Sequence, residues 1–358
     1  MFAEKHYPEI LMPEELDTYL ARGWYRMGQT IFTTHFLCFG EQFYSAVWVR
    51  QNLENFQFSK SQRKLLRKSM STFKIEVRQG RIDEEKERLY RKYKANFPGI
   101  IAPSLRDSLL DGEDYNIYNT LEVSIHHGKR LISCSFFDIG NESAASIIGI
   151  YDPEYRQYSL GYLTMLIEMT FCLERGIQFY YPGYVVPGYS RFNYKLRIGE
   201  VDYYDLKTGH WLPFKSLKQK QIPLEKIKSK LSELSVQLST DGITSKLYYY
   251  PLFEANLFGF WRAQYFDYPL MVAIRPDQHQ NIFLIAIYSI RDEAFQLMQC
   301  SVFDDLQFYF NENYINSFDK SRFFMKLLVV DKTFALNSTA EELSQSLFNN
   351  FFRSSNEP

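Results

Sequence analysis

Four strand-like runs and one helical stripe follow each other between residues 117 and 181. Residues 117–126, 130–138 and 145–151 have the apolar patterns of strands. The apolar residues that come next fall at helical spacing, and these are Leu160, Leu163, Leu166, Ile167 and Phe171. Residues 177–181 (IQFYY) then read as a fourth strand. The order strand–strand–strand–helix–strand predicts a mixed α/β sheet with at least one crossover helix.

Further elements are predicted on both sides of this region. Residues 30–39 (TIFTTHFLCF) look like a strand, and Ser59 with Gln62 has the spacing of a capping box that opens a basic helix. A second helix starts near Asp83, with acidic residues first and basic residues last. The sequence after Pro223 has a helical apolar stripe that consists of Leu224, Ile227, Leu231, Leu234 and Leu238. Residues 247–310 alternate like strands, and a last helix begins near Thr339.

A chain of 358 residues is long enough for two or three domains. The composition changes near residue 100 and again in the Lys/Gln-rich stretch around residues 215–222. We therefore expect an aromatic and basic N-terminal unit over residues 1–100, a mixed-sheet core over 101–215, and an accessory α+β region over 216–358.

Cysteine content and hydropathy exclude several classes of protein. The four cysteines, at positions 38, 134, 172 and 300, form neither a disulfide scaffold nor a CxxC zinc ribbon. No run of about 18 apolar residues would span a membrane. The first sixteen residues carry charges where a signal peptide has its apolar core. These features predict a soluble, cytoplasmic protein without a metal site.

The net charge of −1 conceals a basic block. Residues 50–98 contain 14 Lys and Arg but 6 Asp and Glu, a net charge of +8, whereas the rest of the chain has 27 against 36, or −9. Such a block is typical of a surface that binds a polyanion such as RNA. Two solvated amphipathic helices with excess lysine would give the same pattern, and charge alone leaves both interpretations open.

Motifs for the common catalytic chemistries are absent. The sequence has no GxxxxGK[ST] or GxGxxG phosphate loop and no GxSxG nucleophile elbow. His126 and His127 are adjacent, so on a strand their side chains point to opposite faces and chelate a metal poorly. Nucleotide-driven phosphoryl transfer, Rossmann-type hydride transfer and serine hydrolysis therefore have no support.

A series of ordered motifs gives a more specific signal. It consists of Ser143–Ser146, Tyr151-Asp152-Pro153, Ser159-Leu160-Gly161, Tyr180-Tyr181-Pro182-Gly183-Tyr184 and Asn193-Tyr194-Lys195, preceded by Gly23–Gly28 and Phe58–Lys64. Over roughly residues 1–215 this series resembles the arginyl-tRNA–protein transferase family, whose bacterial members include leucyl transferases. The resemblance implies a GNAT-like core and the transfer of arginine or leucine from aminoacyl-tRNA to a protein N-terminus that begins with Asp or Glu.

Three departures from the family pattern limit the resemblance. The cysteine cluster that is common in the family is reduced to Cys38, so a metal or iron–sulfur cluster is not expected. Pro182 replaces the usual leucine before Gly183, and the residues after about 215 have no counterpart. The expected protein needs no cofactor, because aminoacyl-tRNA is a co-substrate, and it has no membrane or DNA partner.

Two other classes of function stay open. A CoA-dependent enzyme of the GNAT type would need a [QR]xxGx[GA] loop, and residues 158–163 retain only Gly161 of it. This departure disfavours CoA, but a CoA-dependent or FemX-like acyltransferase remains one alternative. A binding module on a degenerate GNAT-like scaffold is the other, because the cysteine cluster is missing and Pro182 is unusual.

The resemblance also implies roles for individual residues. Arg63, Lys195 and Asn193 would bind the acceptor, the first two through its carboxylate. Asp138 would orient the attacking amine, and Tyr184 would bind the ester or stack on the terminal adenosine. The predicted tRNA contacts are Arg67, Lys68, Arg91 and Lys92. Each also has a plainer interpretation, such as a turn residue for Asp138 or a solvated charge for Arg63.

Overall fold

An eight-stranded mixed sheet occupies the first two thirds of the chain. The computed structural model describes residues 2–97, 99, 101–258, 263–275, 281–303 and 312–352. The elements before the sheet are β1 (Ala3–His6), α1 (Pro13–Ala21), β2 (Tyr25–Met27), β3 (Thr30–Thr34), β4 (Phe36–Phe39) and β5 (Gln42–Ser45). β1, β2 and β3 form a small sheet, and β4 pairs with β5 as a hairpin.

The strands of the large sheet come from residues 47–213. Its strands and the helices between them are β6 (Val47–Asn52), α2 (Lys60–Thr72), β7 (Lys74–Gln79), α3 (Glu84–Ala95), α4 (Leu105–Leu110), β8 (Thr120–His127), β9 (Arg130–Ile139), β10 (Ser143–Tyr151), α5 (Leu160–Glu174), β11 (Phe179–Val185), β12 (Asp202–Asp205) and β13 (His210–Pro213). They are arranged in the order β13-β12-β6-β11-β10-β9-β8-β7. β8, β9 and β10 are antiparallel neighbours, and α5 crosses over to β11, which lies parallel to β10. The predicted mixed α/β class and the predicted order strand–strand–strand–helix–strand are confirmed.

The residues after the sheet form a separate α+β layer. Its elements are α6 (Pro223–Thr240), β14 (Ser245–Tyr249), α7 (Ala255–Phe258), β15 (Leu270–Ile274), β16 (Ile282–Ser289), β17 (Ala294–Phe303), α8 (Glu312–Asn316), β18 (Leu327–Asn337) and α9 (Ala340–Leu347). The strands β14 to β18 make an antiparallel sheet in chain order. All five residues of the predicted α6 stripe are buried, and Thr339 caps α9, so both predicted helices are confirmed. Parts of the predicted strand region 247–310 lie outside the described residues.

Two predictions about local structure need correction. The run 30–39 is not one strand, because it breaks at His35 into β3 and β4, which belong to different sheets. The basic block contains an unpredicted strand as well as two helices, since β7 lies between α2 and α3 at the edge of the large sheet. β6 and β7 bring residues before position 100 into the same sheet as β8–β11, and the division into three domains stays a prediction.

Helices cover both faces of the large sheet. α2 and α5 pack on one face, where Leu66, Leu163 and Leu166 join the apolar core. α1 and α3 pack on the other face through Leu16, Leu89 and their neighbours. Within the described residues, every helix is too short or too polar to cross a lipid bilayer.

The large sheet opens between β10 and β11. The two strands pair only from Ser143 to Ala145, opposite Phe179–Tyr181, and β10 then has an irregularity between Ser146 and Ile148. Beyond the paired segment, the four residues Ser146–Gly149 are half-buried, although β10 is an interior strand. We call this opening, at the carboxyl ends of two parallel strands and beside α5, the strand gap.

Candidate functional site

A helical segment after β11 carries a half-buried cation to the strand gap. Residues Ser190–Arg197 form this 3-10 segment, which packs back against β11. The Lys195 Nζ donates a hydrogen bond to the Tyr184 carbonyl oxygen at 3.2 Å, and it lies 5.4 Å from the ring centroids of Tyr184 and Phe192. Burial lowers the pKa of Lys195 to about 8. Among the described residues, no carboxylate forms an ion pair with this ammonium.

Gly183 provides the space that Lys195 occupies. Its φ of +93° lies in the left-handed region that side chains disfavour. A Cβ at this position would come within 2.9 Å of the Lys195 Nζ. The glycine therefore permits both the bend after Pro182 and the approach of the ammonium to β11.

The structure brings two of the predicted site residues into contact and places a third nearby. Tyr184 is half-buried beside Lys195 and meets Trp48 edge to face at 5.0 Å. Burial raises the pKa of Tyr184 to about 12, so its hydroxyl stays protonated at neutral pH. Asn193 lies on the same segment as Lys195, with its side chain exposed.

Arg63 lies on α2, which a glutamine ties to the same segment. The exposed Arg63 guanidinium donates to the Phe58 carbonyl at 2.5 Å. Gln62 caps α2 as predicted, and its buried amide also donates to the Tyr162 hydroxyl at 3.0 Å and to the Ile198 carbonyl at 2.9 Å. The capping motif predicted only the first of these roles. The bonds connect α2, the start of α5 and the end of the Lys195 segment.

Asp138 does not face the strand gap. Its side chain is fully buried, and its Oδ1 accepts hydrogen bonds from Arg26 at 2.9 Å and from Thr120 at 2.6 Å. Burial raises the pKa of Asp138, and the Arg26 guanidinium opposes this shift. Because a substrate amine cannot reach an enclosed and paired carboxylate, the geometry assigns Asp138 to the packing of β9 rather than to the orientation of an amine.

The four predicted tRNA contacts fall into two groups. Arg67 and Lys68 are exposed on α2, a helix without acidic residues, and neither forms an ion pair within the described ranges. By contrast, Arg91 bonds to Glu84 at 2.7 Å, and Lys92 bonds to Asp152 at 2.8 Å. Exposed bases without a carboxylate partner are therefore concentrated on α2.

A buried carboxylate that the sequence analysis missed lies behind the strand gap. Glu168, on α5, is fully buried and accepts hydrogen bonds from Ser135 at 2.5 Å and from the Tyr180 hydroxyl at 2.6 Å. Burial raises the pKa of Glu168 to about 7. A signal was present, because Glu168 is the one charged residue of α5 before its last position, Glu174.

Potential metal ligands do not cluster in the described part of the chain. No group of three or more His, Cys, Asp and Glu side chains could hold an ion there, and the four cysteines are unpaired. The expectation that the protein works without a metal or another cofactor stays a prediction.

Comparisons with known proteins found a matching family model and several similar relatives. Residues 68–205, which extend from α2 to β12 and include the strand gap, match the family model described as arginine-tRNA-protein transferase, C terminus. The chain is 27% identical over 194 residues to an aspartate/glutamate leucyltransferase of Leptospira interrogans, covering 53% of this chain and 74% of the relative. It is 29% identical over 186 residues to the enzyme of the same name from Vibrio vulnificus, covering 51% and 77%.

The similarity to solved structures is weak. The crystal structure of FemX aligns with a TM-score of 0.31 and 10% identity, covering 52% of this chain and 64% of the FemX chain.

Proposed function

We propose that this chain transfers leucine or arginine from aminoacyl-tRNA to an acceptor protein, because residues 68–205 match the arginine-tRNA-protein transferase model and the chain is similar to two leucyltransferases. The new peptide bond forms on the N-terminal amine of the acceptor, whose first residue is Asp or Glu. The name of the two relatives, aspartate/glutamate leucyltransferase, supports this choice of acceptor.

The observation that carries the proposal is the unpaired ammonium of Lys195. A partly buried charge without a counterion is unfavourable, and an opposite charge from a ligand relieves it. An acceptor that begins with Asp or Glu supplies a carboxylate of the right sign next to the reacting amine. A hydrogen bond to a charged group is worth about 1.5–3 kcal/mol, enough to select such an acceptor. The position of Lys195 beside the strand gap thus supports an acceptor with an acidic first residue.

The reaction that follows is the aminolysis of an ester. The acceptor amine attacks the carbonyl that joins the amino acid to the terminal ribose of tRNA, and the ribose oxygen leaves. An α-amine has a pKa of about 7.7–8.0, so roughly a tenth of it is already deprotonated at pH 7. Bringing two substrates together can supply about 7–11 kcal/mol of the barrier, and most of the catalysis therefore comes from positioning.

The bases on α2 support a tRNA partner. Phosphate contacts position a nucleic acid without reading its sequence, and unpaired exposed arginine and lysine side chains suit this task. Gln62 fixes the start of α2 beside Arg197, whose guanidinium lies 4.6 Å from the Tyr162 ring centroid. The exposed bases of α2 thus continue to the end of the Lys195 segment. A tRNA acceptor stem along α2 would present its aminoacylated end to the strand gap.

A direct transfer assay tests the proposal. Purified protein is given labelled leucyl-tRNA or arginyl-tRNA together with peptides that begin with Asp, Glu or Lys. We expect one of the two amino acids to reach the Asp and Glu peptides and neither to reach the Lys peptide. If the folded protein labels no peptide with either amino acid, the proposal is wrong.

A further inference from the structure

Ser146 is the first residue of β10 beyond its pairing with β11. The paired segment ends with Ala145 opposite Tyr181, so Ser146 marks the start of the strand gap. Ala145 is buried, whereas Ser146 is half-buried. Ser146 still pairs with Phe137 of β9, and the register of β10 shifts directly after it, before Ile148.

The Ser146 side chain belongs to a polar network inside the apolar core. Its hydroxyl interacts with the Glu168 carboxylate and with the Tyr180 hydroxyl, and the Tyr180 hydroxyl donates a hydrogen bond to Glu168 at 2.6 Å. Ser135 donates to the other oxygen of Glu168 at 2.5 Å. Glu168, Tyr180 and Ser135 are all buried, so Ser146 is the member of this network that a substrate in the strand gap can reach.

Among the described residues, no cationic side chain forms an ion pair with Glu168. The titratable groups that interact with it are Cys172 on α5, Tyr180 on β11 and Tyr194 on the Lys195 segment, whereas β9 and β10 contribute the hydroxyls of Ser135 and Ser146. Burial therefore dominates, and it raises the pKa of Glu168 to about 7. A proton acceptor with a pKa close to the working pH is the most effective general base.

Ser146 and Lys195 lie on opposite sides of the strand gap. Ser146 is on β10, and the Lys195 Nζ reaches β11 at Gly183 and Tyr184. An acceptor whose carboxylate binds Lys195 would therefore extend its amine across the gap toward β10. This arrangement points to Ser146 as the first protein group that meets the reacting nitrogen.

We infer that the Ser146 hydroxyl accepts the proton of the attacking amine while its own proton passes to Glu168, which Ser135 and Tyr180 hold in place. The inference rests on the proposed function. The C–N bond forms as the ester C–O bond breaks, and the proton held by Glu168 returns through Ser146 to the departing ribose oxygen. No other reactant is required. Ser146 is then a catalytic residue, whereas Glu168 and Tyr180 are positioning residues.

The test is the dependence of kcat/KM on pH for transfer to an Asp-initiated peptide. The wild-type rate requires deprotonation of two groups, Glu168 and the α-amine, so log kcat/KM falls toward a slope of two below about pH 6.5. Glu168→Gln keeps the shape of the side chain but does not titrate, and we expect a slope of one. Loss of general-base catalysis reduces rates by about 10²–10⁴-fold, and we expect about a 10²-fold decrease at pH 8 for this variant and for Ser146→Ala.

Ser133→Ala is the matched control. Ser133 is a buried serine of β9 that donates to the Ile150 carbonyl at 2.9 Å and lies outside the network. This variant should keep the wild-type rate and slope. Tyr180→Phe gives a second readout if Glu168→Gln folds poorly. The Tyr180 hydroxyl lowers the pKa of Glu168. Its removal should therefore move the Glu168 inflection in the pH profile of kcat/KM to higher pH.

The possible outcomes separate the two proposals. If the wild-type protein transfers the amino acid, any one of three results would overturn the inference and leave the proposed function standing. These results are an unchanged rate in Ser146→Ala, a slope of two in Glu168→Gln, and an unmoved inflection in Tyr180→Phe. If the wild-type protein itself transfers no amino acid, the proposed function is wrong and the inference falls with it.

Discussion

Arg26 and Asp138 form an ion pair whose two side chains are completely buried, with 2.9 Å between Arg26 Nη1 and Asp138 Oδ1. The pair joins β2 to the interior strand β9. Arg26 also donates to the Gly28 carbonyl at 2.8 Å, and its guanidinium lies 4.4 Å from the Tyr118 ring centroid. The glycine- and tryptophan-containing entry motif of the chain is thereby attached to the sheet that forms the site.

Asp138→Ala should destabilise the protein without changing the chemistry of each folded molecule. Removal of one partner of a buried ion pair leaves the other charge unpaired and costs about 3–5 kcal/mol. Urea unfolding at pH 7 measures this loss, and kcat is determined on the folded fraction. Normal stability combined with a large drop in kcat would show instead that Asp138 takes part in catalysis.

The salt dependence of tRNA binding should distinguish the two halves of the basic block. The double variants Arg67→Ala/Lys68→Ala and Arg91→Ala/Lys92→Ala remove the same charge. The first pair is unpaired on α2, whereas the second pair is bonded to Glu84, Asp152 and Glu154. Each lost phosphate contact lowers the slope of log K against log salt by about one.

We therefore expect the slope to fall by about two for the α2 variant and by clearly less for the α3 variant. Filter binding or fluorescence anisotropy at several salt concentrations gives both slopes. Equal slopes for the two variants would contradict the assignment of the tRNA surface to α2.

Glu168 should make the stability of the protein depend on pH. Burial raises its pKa from 4.5 to about 7, so the folded state binds this proton more tightly than the unfolded state does. The free energy of unfolding therefore decreases as pH rises from about 4.5 to 7 and changes no further above that range. The shift corresponds to about 3 kcal/mol.

Glu168→Gln removes this ionisation, so its stability relative to the wild type should increase between pH 5 and pH 8. Urea unfolding of both proteins at the two pH values measures the difference. A constant difference between them would mean that Glu168 titrates normally in the folded protein.

Gly183→Ala should impair acceptor binding more than an equally strained substitution elsewhere. The new Cβ would come within 2.9 Å of the Lys195 Nζ, so the ammonium must move. Gly176→Ala is the control, because Gly176 also has a positive φ, +70°, but no heavy atom within 4 Å of an added Cβ. Both variants lose stability through backbone strain.

We expect the KM for an Asp-initiated peptide to increase about tenfold in Gly183→Ala, the equivalent of 1.4 kcal/mol, and to stay unchanged in Gly176→Ala. Steady-state transfer kinetics on the folded proteins measure both values. The same KM in the two variants would remove the link between Gly183 and the position of Lys195.

Local signals predicted much of the fold. The Ser59–Gln62 capping box, the stripe on α6 and the order of β8–β11 with α5 all depend on residues that are close in sequence. Signals from residues close in sequence do not predict the strand gap, because it results from the loss of pairing between β10 and β11. The role of Asp138 was missed for a similar reason, since its partner Arg26 is 112 residues away.

The candidate site was only partly predictable. The family resemblance predicts Lys195 and Tyr184, and the structure adds that the half-buried Lys195 ammonium lies beside the Tyr184 ring. The helical stripe of α5 predicts the apolar neighbours of Glu168 but not the partners of its carboxylate. A carboxylate inside an otherwise apolar helix needs buried hydrogen-bond donors, and these come from other strands.

The recognition of the acceptor carboxylate by Lys195 is tested most directly by a double-mutant cycle that pairs wild-type protein and Lys195→Met with peptides that begin with Asp or Asn. Asp and Asn have nearly the same shape and differ in charge. Wild-type protein should prefer Asp by about 10–100-fold in kcat/KM, as a hydrogen bond between charged groups implies, and Lys195→Met should lose this preference. An undiminished preference for Asp in Lys195→Met would show that another residue recognises the carboxylate.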